Sequence, residues 1–337
     1  MLNALRQKLP ALELTLLTTL PRAFLRERIH GDFTLIEEAT DFGLMMNSAL
    51  AIDLEASAAA YRELHCDWDR RLEQEAERLR RLAPDLVLAD VPYLTLAAAD
   101  RAGIPALALC SLNWADIYRH YFPAQPEAPQ VLACMEEAYR GARAFLCPQP
   151  SMPMAFLDNR VTIGPIAAVG RARSEDLRAR LPAAAADQRV ILVAPGGVQA
   201  RFPMESWPAG QGIHWLVSAG WRVEHPDVSS YQDTGLAFTD LVASCDAVLG
   251  KCGYGTVTEC VVNATPLMYI PRPDWPEEAT LLDWLRAHGA ALAVDAGRLE
   301  SGSFADLADA LESMQVTVCK PEGPEQAAEL LAGYLNE

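Results

Sequence analysis

The sequence predicts an α/β protein built from two doubly wound, Rossmann-like domains, each a parallel sheet covered by helices. Three observations predict it. The stretch Asp246-Ala-Val-Leu-Gly-Lys-Cys-Gly-Tyr-Gly-Thr-Val-Thr-Glu259 reads as a buried strand, a glycine loop and the first turns of a helix. A faint repeat aligns Asp85–Trp114 with Asp246–Trp275 without a gap, at an offset of 246 − 85 = 161 and with 7 identities in 30 positions. About two identities are expected from composition alone. Finally, strands and helices alternate through both halves at the spacing of parallel βαβ units. Such units share Asp, Val, Leu and Pro punctuation in any protein, so Tyr93/Tyr254, Thr95/Thr256 and Trp114/Trp275 are the telling matches.

Taken in order, residues 1–9 read as the end of a helix, Leu12–Thr18 as a strand, Pro21–Glu27 as a short helix and Phe33–Ile36 as a strand. Leu54–Leu82 reads as one long amphipathic helix whose Glu/Arg pairs form a solvated face. The first copy of the repeat supplies a strand at Leu86–Ala89, a helix, and a strand at Ala106–Leu109. Asn113–Tyr121, rich in aromatic and polar groups just past a strand end, either lines an acceptor pocket or packs as a helix beneath one. Ala133–Ala142 is helical and Ala144–Cys147 a short strand. Val161–Gly170 punctuates the middle as a linker, dividing 1–165 from 166–337.

In the second half Ser174–Leu181 reads as a helix that Ser174 can cap. Val190–Ala194 is a strand running into Pro195-Gly196-Gly197, a second glycine turn at a strand end. Trp215–Ser218 reads as a helix end, Trp221–Glu224 as a strand, and Phe238–Ser244 as the helix before the glycine loop. Leu267–Ile270 is a strand, Glu277–His288 a helix ending at Gly289, and Phe304–Leu311 and Glu325–Leu335 are the last helices.

A chain of 337 residues holds two domains of ordinary size, and 51% hydrophobic with 22% charged residues is ordinary for a globular protein. The net charge of 28 − 45 = −17 argues against nucleic acid and anionic membranes as partners. No apolar run approaches a membrane span, and the N-terminus is not a secretory signal. The eight cysteines form no C-x-x-C pair, which argues against zinc. Their scatter, with no signal sequence, points to a reducing cytoplasm. Cys110, Cys134, Cys245 and Cys260 sit in apolar surroundings as small core residues, while Cys252, inside the glycine loop, is either a nucleophile or a structural residue.

The glycine loop carries the chemistry. Glycines let backbone approach a ligand, and the free N–H groups and dipole of a helix start favour an anion there. Lys251 adds a cation at the loop mouth, and Glu259, one turn beyond Thr256, offers a carboxylate to ribose hydroxyls. The spacing G-x-x-G-x-G is neither the dinucleotide fingerprint nor a P-loop, and such glycines also serve plain tight turns.

At Leu249–Glu259, joined to Pro271-Arg-Pro-Asp-Trp-Pro-Glu-Glu278, the chain resembles the glycosyltransferase-like N-terminal region of L-arabinokinase. More distantly it resembles the GT-B glycosyltransferases, among them the GlcNAc transferase of peptidoglycan lipid-intermediate synthesis. The likeness extends upstream through Pro84–Pro92, Ala98–Pro105 and Asn113–Tyr118, covering residues 10 to 300 or so. The resemblance implies two Rossmann-like domains facing a cleft, with a nucleotide sugar, UDP-sugar favoured, held mainly by the second. Gly253, Tyr254, Gly255 and Thr256 would cradle the diphosphate, Glu259 would hold the ribose, and Phe238 and Leu241 would pack on the base. Gly196 and Gly197 would approach the phosphates or sugar, and Glu277 and Glu278 would meet sugar hydroxyls. No metal or other cofactor is implied. Asp67-Trp68-Asp69 has the D-x-D spacing but falls inside the long helix. The family begins with a strand and a Gly/His loop that this sequence lacks, so the first strand of the N-terminal domain is expected to be missing.

The chemistry implied is transfer of a hexose-type sugar to a hydroxyl on a small molecule or glycan, by an enzyme with a base in its N-terminal half. Asp90, at a strand end, and His120 are the candidates, with Asp116 beside them; Asp90 also suits a helix cap, and His120 a packed or solvated helix position. The alternative is a non-catalytic nucleotide-sugar- or sugar-binding regulatory module of the same fold. An epimerase would need more carboxylates than can be identified.

Overall fold

The computed structural model describes residues 1–48, 51–196, 201–312, 314, 316–317 and 319–336. The chain divides into two compact units, one of residues 1–45, 52–166 and 322–337, the other of 46–51 and 167–321.

The first unit opens with α1 (Leu2–Lys8), β1 (Thr15–Leu17), α2 (Arg22–Arg28) and β2 (Thr34–Ile36). β1 and β2 pair in parallel as a sheet of their own. The stretch read as one long helix is two, α3 (Leu54–Cys66) and α4 (Trp68–Leu82), broken at Asp67. Asp53 caps α3 by accepting from the Ala56 N–H at 2.9 Å. Across the break the Trp68 ring stacks on His65 at 5.0 Å. Hydrophobic periodicity runs on through one non-helical residue, so it cannot register such a break. Asp67 pairs with Arg70 at 2.6 Å.

β3 (Val87–Ala89), α5 (Tyr93–Ala102), β4 (Ala106–Leu109), α6 (Trp114–Tyr121), α7 (Ala128–Gly141), β5 (Ala144–Pro148) and β6 (Arg160–Ile163) follow. They give a parallel sheet ordered β3-β4-β5-β6. β6 takes Val161–Ile163, the first residues of the stretch read as linker.

The second unit contains α8 (Ser174–Ala179), β7 (Arg189–Val193), β8 (Ile213–Val217), β9 (Val228–Ser230), α9 (Phe238–Ser244), β10 (Ala247–Lys251), α10 (Tyr254–Val262), β11 (Leu267–Ile270), α11 (Glu278–His288), β12 (Ala291–Ala293), α12 (Ala296–Ser301) and α13 (Ala305–Glu312). Its sheet is parallel throughout, in the order β12-β11-β10-β7-β8-β9. Alternate residues serve opposite faces. Ile191, Val193, Ala247, Leu249, Met268 and Ile270 enter one core, while Val190, Leu192, Val248, Leu267 and Tyr269 enter the other. Burial on both faces is why these strands read as continuous apolar runs.

Trp215–Ser218, read as a helix end, lies in and just past β8, and Trp221 closes a 3₁₀ turn rather than opening a strand. β9 (Val-Ser-Ser) and β12 (Ala-Leu-Ala) are three-residue edge strands without a fully buried residue, too short to leave a signal in the sequence. Ser174 does not cap α8: its hydroxyl donates to the Ser244 carbonyl at 2.9 Å. The last helix, α14 (Gly323–Leu335), belongs to the first unit, whereas the sequence placed it with 166–337. Its Ala327, Ala328 and Leu331 are buried with Leu5 of α1 and with Leu107, Leu146 and Ile163 of the sheet. Among the described residues no helix is long and apolar enough to cross a membrane.

The repeat extends to strand register. Val87 pairs with Ala106 in β3/β4, and Val248 pairs with Leu267 in β10/β11. Both partners are displaced by the same 161 residues (248 − 87 and 267 − 106).

Candidate functional site

The strongest constellation lies in the second unit, at the carboxyl ends of β7 and β10. Gly250 belongs to the strand rather than the loop: a Cβ there would come within 2.4 Å of the Ala194 carbonyl oxygen, so glycine lets β10 close on the end of β7. Lys251 then reaches across. Gly196 has φ +103°, and a Cβ on it would lie 2.7 Å from Lys251 Cε, so the lysine stem covers the second glycine turn. The two turns read separately in the sequence are thus joined through Lys251. Gly197 lies outside the described residues.

Gly253 is the N-cap of α10, in extended conformation and with no side-chain cap. Around a Cβ added at Gly255 there is open space. The first-turn N–H groups of a helix have no partner within it, and here Lys251 stands beside them, with its Cε 3.8 Å from a Cβ built on Gly253. Tyr254, Thr256 and Glu259 are half-buried along the same helix. Burial, then the neighbouring Arg272 cation, lowers the Lys251 pKa, while Glu277 opposes the shift.

Arg272 is the residue that sequence reasoning missed. It follows β11, donates from Nη2 to the Cys252 carbonyl at 3.1 Å, and lies 5.1 Å from the Trp275 ring centroid. The only signal for it was its place in Pro271-Arg-Pro, between a strand end and a helix start. Its backbone N–H is held by both Glu278 oxygens at 2.8 Å, and Trp275 Nε1 donates to Glu277 at 3.1 Å. Both acids are buried and brace their own loop. Burial raises the Glu278 carboxyl against the Arg272 N–H and charge.

Leu241 is fully buried in the core, so it has no face to offer a base; Phe238, one turn earlier, is half-buried and packs edge-on against Tyr231 at 5.8 Å. Cys252 is also fully buried, and burial, followed by Glu278, pushes its thiol up to about 12. That makes it a poor nucleophile.

In the first unit Asp90 follows β3 directly and has one side open to solvent, while surrounding protein crowds the rest and raises its carboxyl pKa against a hydrogen bond from Cys110. It neighbours Asp41, a second residue missed, whose carboxylate accepts from Trp114 Nε1 at 2.7 Å. His120 is brought to neither: it is exposed in the last turn of α6, edge-on to Tyr121 at 4.6 Å. Asp116 is absorbed locally, bonded to Asn113 Nδ2 at 2.9 Å and Arg119 at 2.5 Å.

No family model matches the chain. Over 256 residues it is 28% identical to L-arabinokinase of Arabidopsis thaliana, an alignment covering 73% of this chain and 24% of that protein. The chain thus spans about a quarter of that relative's length. Among solved structures, the glycotransferase of kitacinnamycin superposes with a TM-score of 0.61 at 15% identity, covering 99% of this chain and 94% of that one. CalG4, the calicheamicin glycosyltransferase, gives 0.59 at 16%, with 99% and 94% covered. Arabidopsis thaliana UGT89C1 gives 0.57 at 17%, with 97% and 89% covered, and has also been solved with UDP, UDP-L-rhamnose and quercetin. The chain has the GT-B fold of these glycosyltransferases and is homologous to L-arabinokinase over most of its length.

Proposed function

We propose that the chain transfers a hexose-type sugar from a nucleotide-diphosphate sugar, UDP-sugar by preference, to a hydroxyl acceptor without a metal ion. The observation that carries this reading is the Lys251 stem lying over Gly196 beside the open start of α10. The diphosphate sits on the N–H groups of Gly253–Thr256, with Lys251 and Arg272 supplying the cationic charge that a metal would otherwise bring. These groups stabilise the charge that develops as the glycosidic bond breaks. Glu259 holds the ribose and Phe238 the base. The second unit takes the donor and the first the acceptor, whose proton goes to Asp90. The solved UGT89C1 complex with UDP-L-rhamnose favours uridine as the base.

A non-catalytic module that binds a nucleotide sugar or sugar is the second reading. It is favoured by Glu277 and Glu278, which accept from the Trp275 indole and the Arg272 N–H of their own loop, so that neither is placed to orient a bound donor's sugar for transfer.

Isothermal titration with UDP, GDP and dTDP, repeated on Glu259→Ala, tests the donor site, and UDP release from UDP-glucose separates the two readings. Saturable binding of one nucleotide that weakens in the variant, with release, supports the transferase. Binding without release leaves the module, and no binding by a cooperatively folded protein overturns both.

A further inference from the structure

We propose that Tyr139 is a positioning residue for Asp90: its buried hydroxyl holds Val91 in a left-handed turn, and that turn sends the Asp90 carboxylate outward to meet the acceptor. The inference rests on the glycosyl-transfer reading and adds to it a residue of α7.

Asp90 is exposed at the end of β3, and Val91 directly after it is buried. Val91 has φ +66°, a left-handed value that is strained for a β-branched residue. Rotation about its N–Cα bond turns the Asp90–Val91 peptide against the helix that follows. β3 is fixed upstream by its pairing with β4, and α5 begins two residues downstream at Tyr93. Asp90 is therefore what swings if Val91 relaxes to an ordinary negative φ. The Tyr139 hydroxyl opposes that swing. It donates to the Val91 carbonyl at 2.9 Å and accepts the Trp114 N–H at 3.2 Å. Trp114 opens α6, where N–H groups have no partner within the helix. One hydroxyl thus ties the turn after β3 to the helix start after β4.

The hydroxyl is itself held in place. Tyr139 is fully buried, its ring edge-on to Tyr93 of α5 at 6.4 Å and to Phe145 of β5 at 5.6 Å. Asn159 Nδ2 donates to the Tyr139 and Ala142 carbonyls at 2.9 and 2.7 Å, which fastens the end of α7. Burial raises the Tyr139 phenol well above its ordinary value, so it keeps the proton it donates. In the transfer, the acceptor oxygen bonds to the anomeric carbon and its proton passes to ionised Asp90. The bond from that carbon to the diphosphate breaks, and the diphosphate leaves with the electron pair. Tyr139 takes no part in that step; it decides where the Asp90 carboxylate stands when the proton moves.

The test compares Tyr139→Phe, Val91→Gly and the double variant in the full chain. Tyr139→Phe keeps the ring and removes the hydroxyl. Glycine adopts positive φ freely, so Val91→Gly lets the turn persist without the hydroxyl. With UDP-glucose as donor and water as acceptor, kcat falls about tenfold to a hundredfold in Tyr139→Phe, the usual cost of a displaced reacting group. The donor KM holds, and the double variant recovers most of the loss. In an Asp90→Asn background, Tyr139→Phe has no further effect on kcat. The carboxyl carbon-13 NMR signal of Asp90, assigned through Asp90→Asn, moves in Tyr139→Phe and returns in the double variant. A kcat that holds in Tyr139→Phe, or a loss of rate or of folding that the double variant does not recover, overturns the inference and leaves the transferase reading intact. A wild type that releases no UDP overturns the transferase reading, and the Asp90 signal then decides alone. Moved and restored, it leaves Tyr139 positioning Asp90; unmoved, it overturns that as well.

Discussion

Asp90 and Lys251 occupy the same position in two copies of one strand–loop–helix unit, separated by 251 − 90 = 161 residues with strand register preserved. One copy ends its strand in an acid and the other in a base. In an open parallel sheet the carboxyl ends of the strands are where ligands sit, so the duplicated framework offers one position twice with opposite charge. The matching tryptophans have also kept a shared use. Trp114 Nε1 donates to Asp41, and Trp275 Nε1 donates to Glu277.

Lys251→Met is expected to weaken UDP binding about tenfold to a hundredfold, the usual cost of losing a charge-assisted bond to an anion. The pH dependence has a definite sign. Because burial lowers its pKa, Lys251 gives up its proton at a lower pH than an ordinary lysine. UDP affinity therefore falls as pH rises through that titration. Lys251→Arg flattens the fall, because arginine stays charged. Titration calorimetry across alkaline pH checks both.

Gly196→Ala places a methyl at φ +103°, 2.7 Å from Lys251 Cε. Backbone strain of about 1–2 kcal/mol is expected, together with displacement of the lysine and weaker UDP binding. Chemical denaturation and calorimetry on the same sample separate the two effects.

His65 is buried, hydrogen-bonded to the Tyr93 hydroxyl at 2.9 Å, and its pKa is pushed down to about 4 by burial. The folded state therefore binds fewer protons than the unfolded state between pH 4 and the ordinary histidine value near 6.5. Stability is full above about 6.5 and drops as pH falls toward 4, by about 3 kcal/mol in all. His65→Phe keeps a ring against Trp68 and removes this dependence. Urea melts at pH 7, 5.5 and 4.5 measure it.

Leu331→Ala on α14 opens a cavity against Leu5 and Leu146 and is expected to cost about 2–5 kcal/mol. The loss falls on the first unit although the residue lies beyond the second in sequence. Hydrogen exchange should quicken in β4–β6 and stay unchanged in β7–β12.

The parallel sheets were legible because their central strands are apolar on both faces and their helices carry turn residues at each end. Phe238–Ser244 agrees to the residue. Edge strands escaped because Val-Ser-Ser and Ala-Leu-Ala bury little. In the donor-side site, Lys251 and the glycines could be read because their role is local to one loop. Arg272 and Asp41 could not. Each works through a partner far along the chain, Cys252 for one and Trp114 for the other, and no spacing rule connects such pairs. Leu241 misled for the opposite reason: one helical turn separates a half-buried face from a core face, and only packing tells them apart.

The return of α14 to the first unit has a consequence for synthesis. Domains emerging from the ribosome tend to fold in the order they are made. Here the unit begun first is finished last, because Ala327, Ala328 and Leu331 must cover the apolar residues of β4, β5 and β6. Until residues 323–335 have been made, that face of the early sheet lacks its α14 cover and is packed only by Leu5 and its neighbours at the N-terminus, while every strand of the later sheet is already in hand. The nascent chain therefore exposes an incomplete unit throughout the making of the second one, which is the interval when a chaperone has most to do.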